Sequence, residues 1–214
     1  KGEIYFAGAL ENNEDTGTLQ YLASTAMEAG FSTRVLDMQA LDLQNGRFFD
    51  PAGELVNRCF KLYPWEWMVD ESPDGCLAEM EWLEPIWKLV MSNKAILATL
   101  YELFPDSPYV LPCYLSRPRS GLFCKKPVFS REGHNVSVVD IRDWEEYVRI
   151  AETEGDYNTG AYVYQEYVEP TAYSGRYPVI GSWIIGGEAA GIGIRENRME
   201  VTDNLSEFVP HIIG

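Results

Sequence analysis

With 214 residues, 46% of them hydrophobic, the chain can bury a core, which excludes the disordered and collagen-like classes. Its formal net charge of -16 argues against nucleic acid as a partner, because phosphate neutralisation needs clustered Lys and Arg; a cationic ligand suits this field, and so does simple solubility. The longest apolar runs, such as 95–101 and 179–185, are too short to span a bilayer and no charged start leads into an apolar segment, so a soluble, cytoplasmic protein without a membrane partner is expected.

In chain order, EIYFAGAL reads as a buried strand, ENNEDTG as an acidic turn, and TLQYLASTAMEAGF as a helix whose apolar residues recur at three and four. Asp15 or Thr16 is the expected cap, Gly30 the C-terminal stop, and STRVLDM the next strand, making a small N-terminal β-α-β unit. A glycine-rich phosphate loop does not follow the first strand. GRFFDPAGELVNRCFKLYP reads as a hairpin turning at 50–53, and YPWEWMVDESPDG as an irregular connection. Leu77 to Phe104 reads as mainly helical, with Asn93 able to cap a final helix that carries Lys94 in its first turn. A cation there opposes the helix dipole and needs solvent or an anion to offset it.

Beyond the loop PDSPYVLPCYLSRPRSG the chain becomes strand-rich: LFCKKPVF, NVSVVD, AYVYQEYV, YPVIGSWIIG and EAAGIGIRE, with one helix expected at DWEEYVRIAETEG and a glycine hairpin at 186–187. Lys125 and Lys126 are neighbours on a strand and must point to opposite faces; Lys126 is the one assigned to a pocket. The four cysteines lack C-x-x-C spacing and read as reduced core thiols. His134 reads as a solvent-facing loop residue and His211 as packed at a strand terminus.

In order along the chain, EDTGTLQYLASTAMEAGF, FKLYPWEWM, SNKAIL, CKKPVFSREGHNV, VYQEYVEP and YPVIGSWIIGGEAAGIGIRE resemble the C-terminal part of the glutathionylspermidine synthetase family, nearest its amidase-lacking members. The resemblance implies an ATP-grasp-like α+β / α/β fold, a mostly antiparallel sheet with packed helices. Residues 1–76 would form a pre-ATP-grasp portion and 77–214 the ATP-grasp portion, helical over 77–104 with its sheet over 122–214. It further implies an ATP-dependent C-N ligase: ATP with Mg²⁺ phosphorylates a glutathione-like carboxylate, and a polyamine-like amine attacks the acyl phosphate.

Position by position, the resemblance implies that Lys94 and Lys126 hold phosphates and that Ser130, Arg131, Glu132 and Gly133, with Asn135, form the loop closing over them. Gln165, Glu166 and Tyr167 would line adenine, and Arg195 would contact the transferring phosphate as the catalytic residue. Taken singly, Lys94 reads as a solvated helix residue, Arg195 as a strand-end ion-pair partner and Gln165–Glu166 as exposed strand. No segment matches the family's Mg²⁺ ligands, so an incomplete fragment, inactive in isolation, is the expectation. A nucleotide-binding module without ligase chemistry is the alternative. Substrate identity and oligomeric state are left open by the sequence.

Overall fold

A computed structural model describes residues 2–143, 146–157, 160–201, 203 and 206–212. The chain divides into two compact units, 1–90 and 91–214.

The first unit is built on β1 (Glu3–Gly8), α1 (Asn13–Glu28) and β2 (Ser32–Asp37), followed by the meander β3 (Asp42–Gln44), β4 (Arg47–Phe49) and β5 (Leu55–Val56), then by β6 (Arg58–Leu62). Helices α2 (Trp65–Glu71) and α3 (Pro73–Cys76) and strand β7 (Glu81–Leu83) complete it. Its main sheet has the order β2-β1-β6-β7, with all three pairs parallel. Strand β1 sits centrally and is covered on both faces, which is why IYFA is continuously apolar. Tyr5 and Ala7 join Phe48, Trp65 and Trp82 on one face, and Ile4 and Phe6 join Leu19 and Ala23 of α1 on the other.

Asn12, rather than Asp15 or Thr16, caps α1: its side chain accepts from the N–H groups of Glu14 and Asp15. Glu14 and Asp15 are then first-turn anions, favourable at the positive helix end. Gly30, at φ 89°, ends the helix as expected. The turn after β4 is held by Asp50, whose Oδ1 accepts from the N–H groups of Ala52 and Glu54 and whose Oδ2 accepts from Tyr5 and Arg34. These bonds, the one from Glu54 N–H foremost, pull its carboxyl below the usual range.

Two expectations need correction. The stretch 77–104 is not mainly helical at its start: β7 extends the first unit's sheet, so the compact unit runs to Val90 rather than ending at 76. The cause is Trp82, which is 7% exposed and packs edge-on to Phe48 and Trp65 at 5.5 and 5.7 Å, burial that outweighs a weak helical preference. DWEEYVRIAETEG is the second case. Its described residues 147–152 form a strand, and Trp144 and Glu145 lie outside the described residues.

Beyond α4 (Leu89–Ser92), within which the division falls, the second unit comprises α5 (Ala95–Leu103) and strands β8 (Cys113–Tyr114), β9 (Gly121–Pro127), β10 (Ser137–Ile141), β11 (Tyr147–Glu152) and β12 (Tyr162–Glu166). These strands make a sheet of order β11-β10-β9-β12-β8, antiparallel throughout. Strand β11 forms because it supplies ladder partners to β10, Tyr147 opposite Ile141 and Arg149 opposite Val139, satisfying backbone groups that a helix would leave unpaired.

A second antiparallel sheet contains β13 (Tyr177–Ile185), β14 (Glu188–Asn197) and β15 (Glu207–Val209), and its first hairpin turns at Gly186–Gly187 as the sequence leads one to expect. The observed architecture is the mixed α/β one expected, with helices few and the second unit's sheets antiparallel. Among the described residues, no helix is long and apolar enough to cross a membrane.

Candidate nucleotide site

The register of β9 against β12 fixes where the paired lysines point. Lys126 lies opposite Val163 and Lys125 opposite Tyr164, so the two side chains occupy opposite faces. On the first face Lys126 Nζ donates to Gln165 Oε1 at 2.7 Å, across the strand pair and two positions along from Val163. Cys113 and Cys124 face Gln165 from the strands on either side. Burial raises both thiols above their ordinary values while the Lys126 charge opposes it.

Lys94 precedes α5 and turns away from it. The Asn93 side chain takes the Ala95 N–H, as expected of a cap, and the Lys94 backbone N–H donates to Val128 O. Its Nζ donates to the carbonyl and the hydroxyl of Ser130, the latter at 3.0 Å. The cation is therefore offset by loop oxygens in this conformation. The same contact ties the start of α5 to the loop at 130–135.

That loop departs from ordinary backbone geometry. Glu132, Gly133 and Asn135 have φ of 57°, 73° and 55°, a left-handed run in which Glu132 is the least usual occupant. Asn135 pins it: Oδ1 accepts the Tyr157 N–H and Nδ2 donates to Gly155 O, each at 2.8 Å. Thr153 donates its hydroxyl to Gly133 O and accepts the Val136 N–H. The His134 N–H returns to Arg131 O. The His134 ring is half-buried against Tyr157, 5.9 Å between centroids, rather than facing solvent, because Gly155 leaves room for it. His211 is exposed rather than packed.

The remaining predicted residues fall around this frame. The Glu166 N–H donates to Pro112 O and the Tyr167 N–H to Leu122 O, continuing the β12 ladder on both sides. The Tyr167 hydroxyl donates to Glu200 at 2.7 Å, and burial with this carboxylate pushes the phenol up to about 12. Arg195 is carried by the other sheet, between Val179 and Phe208, with its guanidinium 5.9 Å from the Phe208 ring centre.

The structure thus joins Lys94 to Ser130 and Lys126 to Gln165, and holds Arg195 on a different sheet. Sequence reading missed Thr153, Gly155, Tyr157 and Glu200. The polar cluster TEGDY, just after a strand-length segment, is the one local signal for the first three. Among the described residues no group of three or more His, Cys, Asp or Glu is arranged to hold a metal ion.

The fold is that of a D-cycloserine synthetase, on which the chain superposes with a TM-score of 0.55 at 15% identity, covering 91% of this chain and 68% of that one. More particularly, the chain belongs to the glutathionylspermidine synthase preATP-grasp family, whose profile matches residues 1–214. It is 36% identical over 207 residues to a putative acid–amine ligase of Haemophilus influenzae, covering 92% of this chain and 53% of that protein. It is 35% identical over 130 residues to the trypanothione synthetase of Crithidia fasciculata, covering 59% and 19%. With the bifunctional glutathionylspermidine synthetase/amidase of Escherichia coli it shares 26% over 232 residues, covering 94% and 36%. The chain spans about half the length of the acid–amine ligase and less of the other two.

Proposed function

We propose that the whole protein is an ATP-dependent carboxylate–amine ligase working through an acyl phosphate, and that residues 91–214 supply its nucleotide-binding face. The observation that carries this reading is the Lys126–Gln165 hydrogen bond. It aims an ammonium and an amide carbonyl along one sheet face, a pairing that suits a phosphate beside an adenine amino group. Lys126 binds the phosphates and Gln165 orients the base. Glu166 and Tyr167 border it, their backbone N–H groups already engaged by the ladder.

Lys94 exchanges its Ser130 oxygens for phosphate oxygens, which frees the 130–135 loop to close and exclude water. In that closure the backbone of Arg131, Glu132 and Gly133 faces the phosphates, with Asn135 as the fixed end. Arg195 neutralises charge on the transferring phosphoryl group once its sheet approaches. Mg²⁺, when bound, would draw charge from the phosphate oxygens; the described residues of this chain are not assigned to hold it.

The names of the relatives point to glutathione and spermidine as the carboxylate and amine, and we extend these classes to this protein. A cytoplasmic site accords with ATP use and four free thiols. Arg195, carried on a different sheet from Lys126 and lying against Phe208, favours a second reading, a nucleotide-binding module without ligase chemistry. Phosphate release by the full-length protein with ATP, Mg²⁺, glutathione and a polyamine separates the two. Substrate-dependent release, lost in Lys126→Ala and reduced about a hundredfold or more in Arg195→Ala, is the expected result. ATP binding without release would support the module.

A further inference from the structure

The opposite face of the same sheet carries a second constellation, which the ligase reading does not use. Phe123, Val139, Ile141 and Tyr164 form its apolar floor. Over this floor stand two cations, each lying on a ring: the Arg117 guanidinium 4.9 Å from the Tyr147 centroid, and Lys125 Nζ 4.0 Å from the Tyr162 centroid. A pocket of about 70 Å³ opens between them, bounded by Arg117, Lys125, Tyr147 and the floor residues Val139, Ile141 and Tyr164.

A neighbouring cleft of about 500 Å³ shares Arg117 and Tyr164 with it, adds Tyr162, and is also lined by Asn93, Ala95 and Val128. Among the described residues neither lining contains a carboxylate, in a chain whose formal charge is -16. Arg117 donates through Nη2 to the Asp143 carbonyl, and its buried Nε has no acceptor among the described residues. Arg149, a third cation opposite Val139 on this face, is engaged by Glu152 and by the Tyr147 hydroxyl, and so steadies the ring under Arg117.

We propose that this pocket is a second anion site, on the face of the sheet turned away from Lys126, which takes a phosphate monoester carried on a planar ring: a nucleoside monophosphate in chemical class. Two cations in a described lining that holds no carboxylate, with the nearby Glu152 already engaged by Arg149 and Ser137, match a dianion better than a monocarboxylate, and their attraction is strengthened over an apolar floor. The tyrosine rings offer stacking surface for the base, Tyr147 being 42% exposed and open to it. The site is independent of the ligase reading, because it uses none of the residues assigned there.

Equilibrium dialysis of AMP, with adenosine as the uncharged control, tests it on the full chain. Lys126→Ala is expected to keep one AMP site. Arg117→Gln and Lys125→Gln are each expected to weaken that site about tenfold or more, the loss of one charge-assisted contact. Adenosine is expected to bind at least about tenfold more weakly than AMP. Tyr147→Ala, which removes an exposed ring, is expected to lower affinity severalfold and decides the matter should Arg117→Gln fail to fold. The proposal is overturned if AMP binds more weakly than about 1 mM to the parent chain. Binding lost in Lys126→Ala but intact in the Arg117 and Lys125 variants, or adenosine binding as well as AMP, overturns it equally.

Discussion

Lys61 is the most constrained charge in the first unit. It is 8% exposed, donates from Nζ to the Tyr63 carbonyl at 2.6 Å and lies 3.9 Å from the Trp65 ring centre. Burial lowers its pKa to about 8, against the pull of Glu66 and Glu84. The sign follows directly. Below pH 8 both native and unfolded chains carry this proton and the cost of burying it stands in full, up to roughly 3 kcal/mol. Between pH 8 and the ordinary lysine value the unfolded chain binds more protons, so stability from this residue rises with pH.

Other groups work in the opposite sense. Cys59, Tyr5, Tyr63 and Tyr167, all raised to about 12, keep their protons in the native state and lower stability once the unfolded chain loses them. A difference measurement isolates the lysine. Urea unfolding from pH 7 to 10 is expected to show the parent gaining stability relative to Lys61→Met, and a constant difference across that range would show that Lys61 does not titrate there.

Elements with one dominant physical cause were legible in the sequence. EIYFAGAL is a strand because both faces are buried, and CKKP splits its lysines between faces because side chains alternate along a strand. The segment 147–152 was not legible as a strand, since its exposed residues have no apolar alternation and its conformation comes from β10 alongside. In the candidate site, Lys94 and Ser130 could each be singled out but not their pairing across 36 residues; likewise Asn135 but not the segment that clamps it. Those partners are set by tertiary approach, which no local pattern encodes.

The clamp itself can be tested at Gly155. A Cβ added there would lie 2.4 Å from His134 Cβ and 2.9 Å from Asn135 Oδ1, so the loop must shift. Gly155→Ala is therefore expected to weaken ATP affinity about tenfold while lowering the melting temperature by only a few degrees. Unchanged affinity would mean that the loop at 130–135 does not hold the nucleotide.

At the scale of the whole molecule, 33 acidic residues face 17 basic ones. The ion pairs are largely exposed, as with Arg47–Glu79 and Arg142–Glu146, and contribute little individually. Net repulsion therefore outweighs them. Raising ionic strength from roughly 0.01 to 0.1 M shortens the screening length from about 30 to about 10 Å, and the melting temperature is expected to rise with it. A fall would show that specific ion pairs, not net charge, dominate.

The alternation in β9 also bears on energetic independence. Lys125 and Lys126 are covalent neighbours with different partners among the described residues: one meets Tyr162, the other Gln165. Lys126 and Gln165 are 39 positions apart and are joined by a hydrogen bond that Lys126 donates. In double-mutant cycles on thermal stability, Lys125→Ala and Lys126→Ala are expected to add within about 0.5 kcal/mol, whereas Lys126→Ala and Gln165→Ala are expected to couple beyond that. Adjacency in the gene would then be the poorer guide to which substitutions compensate one another, and either side of the strand could be altered by mutation with the other left as it was.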